Sequence, residues 1–120
     1  MSATDDNTYP RPSVAADVVI FAFSGAGGAP EILLIKRGGE PFKGRWALPG
    51  GFMNPDETVG RAAARELMEE TGVDGIPLEQ VFTFTQPGRD PRSWVISCAH
   101  MAVIDKESVR PRPADDAADA

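Results

Sequence analysis

Gly51 to Val73, GFMNPDETVGRAAARELMEETGV, is the stretch whose reading decides the fold. Asp56 is placed to cap a helix, Glu57 to sit in its first turn, and Thr58 to Thr71 contains no proline. Gly72 supplies the stop. Val59, Ala63 and Leu67 recur at four-residue spacing, an apolar stripe kept narrow by its small residues, so the helix can lie close to a sheet. Glu66, Glu69 and Glu70 stand at i, i+3 and i+4 and share another side of the same helix.

That clustering is unfavourable without a cation. Like charges at helical neighbour positions repel, and Glu69 and Glu70 lie in the C-terminal half, against the helix dipole. Converging hard oxygen ligands suit Mg²⁺ or Mn²⁺, which bind through a few carboxylates plus substrate phosphates. A solvated acidic face is the ordinary meaning of three glutamates on a helix. The residues around them must decide between the two.

The whole chain narrows the classes. With 120 residues, 42% hydrophobic and 25% charged, it reads as one globular domain, residues 1–120, with residues 1–12 an extended polar segment. A single cysteine excludes an internal disulfide and fits a reducing compartment. No apolar run is long enough for a bilayer, and the N-terminus lacks a signal-peptide pattern, so a cytoplasmic protein without a membrane partner is expected. A net charge of -6 argues against non-specific nucleic-acid binding. It leaves room for a small phosphorylated ligand gripped by a local basic cluster.

Before the helix, Ser13 to Phe23 reads as a central strand, and Glu31 to Arg37 as a second strand forming a hairpin with it across SGAGGAP. Trp46-Ala47-Leu48 is a short strand that Pro49-Gly50-Gly51 should stop. After the helix, Leu78 to Gln86 and Trp94 to Ile104 are strands separated by the charged loop PGRDPR. Residues 105–120 are polar and contain proline.

Gly51, Glu57 and the run Arg65-Glu66-Leu67-Met68-Glu69-Glu70-Thr71-Gly72-Val73 resemble a complete Nudix box, a long gapped signature, and Leu48-Pro49-Gly50-Gly51 extends the likeness upstream. The resemblance implies an α+β fold, an α/β/α sandwich with a mixed β-sheet, and an enzyme that hydrolyses a nucleoside diphosphate linked to another moiety. It implies Glu66, Glu69 and Glu70 as ligands of Mg²⁺ or Mn²⁺, with the Gly50 carbonyl. It implies that Arg65 orients Glu57 or Glu66, and that Glu57 holds the loop. For the general base it leaves Glu66 and the pair Asp115 or Asp116 as candidates.

LEQVFTF followed by PGRDPR resembles the branch of ADP-ribose pyrophosphatases and ADP-ribose-sensing domains. The expected reaction is then ADP-ribose to AMP and ribose 5-phosphate. The alternatives are the sensing domain of a transcriptional regulator, or hydrolysis of a dinucleotide or an oxidised nucleoside triphosphate. Arg37, Arg45, Arg89 and Arg92 are the substrate-binding candidates, because a guanidinium fork grips phosphate or stacks on a base. Phe42, Trp46 and Phe84 could stack on a base, but core packing is the favoured reading for an aromatic beside a strand. Cys98 reads as a small buried hydrophobe, and His100, on the same side of its strand, as a packing residue. In the family the chain continues past residues 115–118 into a closing strand and helix. The expectation is therefore a domain lacking them, with apolar sheet surface exposed and a homodimer as one remedy.

Overall fold

The computed structural model describes residues 9–25, 27–39, 43–91 and 93–108, and the backbone of 117–119. In chain order the elements are β1 (Ser13–Phe23), β2 (Glu31–Ile32), β3 (Ile35–Arg37), β4 (Trp46–Ala47), β5 (Gly50–Phe52), α1 (Val59–Thr71), β6 (Glu79–Phe84), β7 (Val95–Asp105) and β8 (Ala117–Asp119). A 3-10 turn, Lys106–Ser108, follows β7. β1 runs parallel to β7 in register from Ser13 against Val95 to Phe23 against Asp105. β2 and β5 pair antiparallel with the other edge of β1, and β6 pairs antiparallel with β7. The sheet is mixed and its long apolar strand is internal, as the composition of Ser13 to Phe23 predicts. β3 joins β4 and β8 in a second, smaller sheet.

One face of the main sheet carries the core. Ala16, Val18 and Ile20 of β1 and Ala102 of β7 meet Ala62, Ala63 and Leu67 of α1, with Val73 beyond the helix end. The alanines let helix and sheet approach closely, and Val59 packs at the margin of the cluster. His100 and Cys98 share this face and are buried. His100 Nδ1 lies 3.0 Å from the Cys98 carbonyl oxygen. Among the described residues α1 is the one α-helix, so the described layers are a mixed sheet with a helix on one face.

Three local expectations change. The strand expected from Glu31 to Arg37 is split between two sheets, because Leu33 turns inward against the core and Ile35 is buried in the smaller sheet. Gly50 and Gly51 do not end a strand; they belong to β5, opposite Asp17 and Ala16. The helix cap is Thr58, whose hydroxyl accepts from the Arg61 amide at 3.2 Å, so Asp56 and Glu57 precede the helix. Gly72 ends it in the left-handed region, at φ 77, with its amide on the Met68 carbonyl.

Candidate active site

Asn54 to Glu57 forms the turn that leads into α1. The Asn54 amide donates to Glu57 Oε1 at 2.9 Å, and the Glu57 amide to the Asn54 carbonyl at 3.3 Å. Arg65, two turns along the helix, grips the same carboxylate with both sides of its fork, Nη2 to Oε1 at 2.6 Å and Nε to Oε2 at 3.1 Å. Its Nη2 also donates to the Phe52 carbonyl at 3.0 Å. The Arg65 hydrogen bond, followed by that from Asn54, holds the Glu57 carboxyl below its ordinary value. Glu57 in turn is the first cause of the raised Arg65 pKa. Loop, strand end and helix are thus tied through one guanidinium.

Arg65 reaches the acidic face as well. Its Nη1 lies 2.7 Å from Glu66 Oε1 and 3.3 Å from Glu69 Oε2, a positive nitrogen between two carboxylates. Glu66 lies flat against Gly51, where an added Cβ would come within 2.6 Å of its Oε1. Glu70, only 8% exposed, accepts from the Gly50 amide at 2.7 Å. A carboxylate so buried needs such a donor. Gly50 is itself pressed against the Ala16 carbonyl oxygen, with no room for a Cβ. The two glycines are therefore required by close approach, one to backbone and one to Glu66.

Among the described residues no three His, Cys, Asp or Glu side chains converge as a ready cation cage. The donor chemistry nevertheless fits a hard divalent ion: oxygen ligands only, two of them near enough to share one cationic nitrogen. Arg37 and Arg45 are neighbours through main-chain bonds, Arg37 amide to Arg45 carbonyl and Gly44 amide to Arg37 carbonyl, each 2.8 Å. The Arg89 guanidinium stands 5.9 Å from the Phe84 ring centre. Trp46 and Phe84 are 53% and 45% exposed rather than core residues. Arg92, Asp115, Asp116 and Phe42 lie outside the described residues. One further carboxylate stands beside the glycine pair. Asp17 sits in register with Gly50, and its signal was a lone acid inside an otherwise apolar strand.

The NUDIX domain family matches residues 11–120. The chain belongs to the Nudix family. Over 98 residues it is 41% identical to the ADPR responsive transcriptional repressor NtrR of Acinetobacter baylyi, covering 80% of this chain and 38% of that protein. Over 112 residues it is 40% identical to an ADP-ribose pyrophosphatase of Methanocaldococcus jannaschii, covering 93% of this chain and 62% of that one. The chain thus spans less than two thirds of either relative. The NUDIX domain of Shewanella oneidensis NrtR, solved in complex with ADP ribose, superimposes with a TM-score of 0.83 at 26% identity, over 99% of this Nudix chain and 80% of the other.

Proposed function

We propose that this Nudix domain hydrolyses the phosphoanhydride of a nucleoside diphosphate joined to a second moiety, with ADP-ribose as substrate and AMP and ribose 5-phosphate as products. The observation that carries the reading is the acidic face of α1 held against Gly50 and Gly51. Glu66 and Glu70 lie on the glycine edge, and Arg65 braces Glu66, Glu69 and the Glu57 loop. The likeness to an ADP-ribose pyrophosphatase supports the substrate.

Glu66, Glu69 and Glu70, with the Gly50 carbonyl, would hold Mg²⁺ or Mn²⁺. When bound, such an ion neutralises the anhydride and makes hydroxide accessible near neutral pH. The chain's own contribution is positional. Glu57, held in the turn before the helix, and Arg65 keep the acids of its C-terminal half in place, and Arg37, Arg45, Arg89 and Arg92 supply cations for the diphosphate. Water adds across the P–O–P link and its proton passes to a carboxylate; Glu66 is the candidate base among the described residues, with Asp115 or Asp116 the candidate beyond them. General-base help of this kind is worth about 10²–10⁴-fold. The proposed place of work is the cytoplasm, and self-association is supported by Ile32 and Val103, exposed in one row with Phe21 on the sheet face turned away from α1.

The test is a Mg²⁺ or Mn²⁺ assay over ADP-ribose, NADH, diadenosine polyphosphates and oxidised nucleoside triphosphates, with products identified. ADP-ribose should be consumed fastest, yielding AMP and ribose 5-phosphate. Preference for a triphosphate overturns the substrate. The 41% identity to a transcriptional repressor favours a second reading, an ADP-ribose sensor. Tight ADP-ribose binding without turnover would establish that reading instead.

A further inference from the structure

Asp17 interrupts the apolar run of β1, and register places it opposite Gly50 of β5 and Ala99 of β7, on the sheet face turned away from α1. Ser97, 1% exposed, donates its hydroxyl to Asp17 Oδ2. Oδ1 has no hydrogen-bond partner among the described residues and lies over Gly50, where an added Cβ would come within 2.8 Å of it. Asp17 remains half-buried and reachable by solvent.

A pair that merely stapled β1 to β7 would be superfluous. Those strands are already in register along eleven residues, and replacing a buried polar pair by apolar groups is often neutral for stability. An acid with one oxygen fixed by a buried serine and the other open is instead a prepared acceptor. Phe82 and Phe84, opposite Ala99 and Ser97 on the same face, form an exposed edge-to-face pair, and Arg89 stands over Phe84.

The two faces communicate across β5. Glu66 meets Gly51 on the helix side and Asp17 meets Gly50 on the other, so the edge between them bears no side chain. A ligand whose anhydride lies at Glu66 and Glu70 can lap over that edge. The part that reaches Asp17 must be neutral or cationic, since a carboxylate repels a phosphate beside it.

We propose that Asp17 is a specificity-determining residue, its Oδ1 accepting a hydrogen bond from a ribose hydroxyl or an exocyclic amine of the nucleotide bound at the glycine edge. The assignment rests on the hydrolase reading for the position of the anhydride. It is tested by calorimetric titration, with Mg²⁺ present, of ADP-ribose as its non-hydrolysable methylene analogue, AMP and ribose 5-phosphate into the wild type, Asp17→Asn and the double variant Asp17→Ala/Ser97→Ala. The double variant leaves neither polar partner orphaned in the sheet. ADP-ribose binding should weaken by about tenfold or more in the double variant, the size expected for a lost charged hydrogen bond, and by less in Asp17→Asn, which keeps an oxygen acceptor. A loss shared by ribose 5-phosphate identifies a hydroxyl of the terminal ribose as the donor, and a loss confined to the adenine-bearing ligands places the donor on the adenosine half, in its ribose or its amine. Unchanged affinity of all three ligands in the double variant, or no binding of any by the wild type, overturns the inference. Failure of the hydrolase reading appears separately, as binding by the wild type with no turnover of ADP-ribose itself under the same Mg²⁺.

Discussion

At the scale of single residues, the glycine edge separates stability from chemistry. A Cβ on Gly51 would strike the Glu66 carboxylate, the mobile end of a side chain, whereas one on Gly50 would strike the Ala16 backbone oxygen. Gly51→Ala should therefore keep its melting temperature and lose turnover, and Gly50→Ala should lose about 1–3 kcal/mol of stability, the usual range for overpacking. Denaturant titration beside the ADP-ribose assay checks both, and equal effects of the two would refute the distinction. Glu70→Gln keeps the volume and an oxygen for the Gly50 amide while removing a charge. Its turnover should fall by about 10²-fold or more, the scale of a lost electrostatic contact at a reacting centre, and near-normal activity would reject its role in holding metal. Glu57 gives a pH signature. Its carboxyl is lowered from an ordinary value of 4.5, mainly by Arg65, so the unfolded chain binds more protons in that range. The stabilisation is fully present above pH 4.5 and is lost as pH falls through the lowered value. Acid unfolding of Glu57→Gln against wild type should show a gap that closes below that pH, and a constant gap would contradict it.

At the scale of elements, what was legible followed repeating patterns. The four-residue spacing of Val59, Ala63 and Leu67 located the core side of α1, and the apolar run from Ser13 to Phe23 located the internal strand. What escaped depended on partners distant in the chain. Leu33 breaks its strand because the Ile20 carbonyl and the core claim it, and Gly50 extends a strand because Ala16 and Asp17 lie beside it. Asp17 of β1 shows no partner in its own stretch for the same reason, since its neighbour Ser97 comes from a strand near the other end of the described chain. Local competition decided the helix start: Asp56 and Thr58 are both of the type that caps, and Arg65 holds Glu57 in the turn before the helix, so the cap falls to Thr58. Thr58→Ala should accordingly cost about 1 kcal/mol, the typical value of a lost cap, while Asp56→Ala leaves the melting temperature unchanged. The reverse ranking would restore Asp56 as the cap.

At the scale of the whole molecule, the sheet divides its outer face between two kinds of surface. Near the glycine edge that face holds Asp17 and Ser97, which are polar. At the opposite end, register sets Ile32 of β2, Phe21 of β1 and Val103 of β7 in one row across three strands. Ile32 and Val103 are exposed there, Val103 by 61%, and no described element covers them. A row of apolar side chains continuous across strands is the kind of surface that a second protein surface covers, and a net charge of -6 is modest opposition to a second copy at physiological salt. Sedimentation velocity over a range of concentrations should show reversible self-association of this domain. Val103→Asp should shift the distribution to monomer, because pairing would then desolvate a carboxylate without a partner. The turnover of ADP-ribose proposed for the other end of the sheet should be unchanged in that variant. A wild-type domain that stays monomeric at every concentration would remove the patch from consideration as a self-contact.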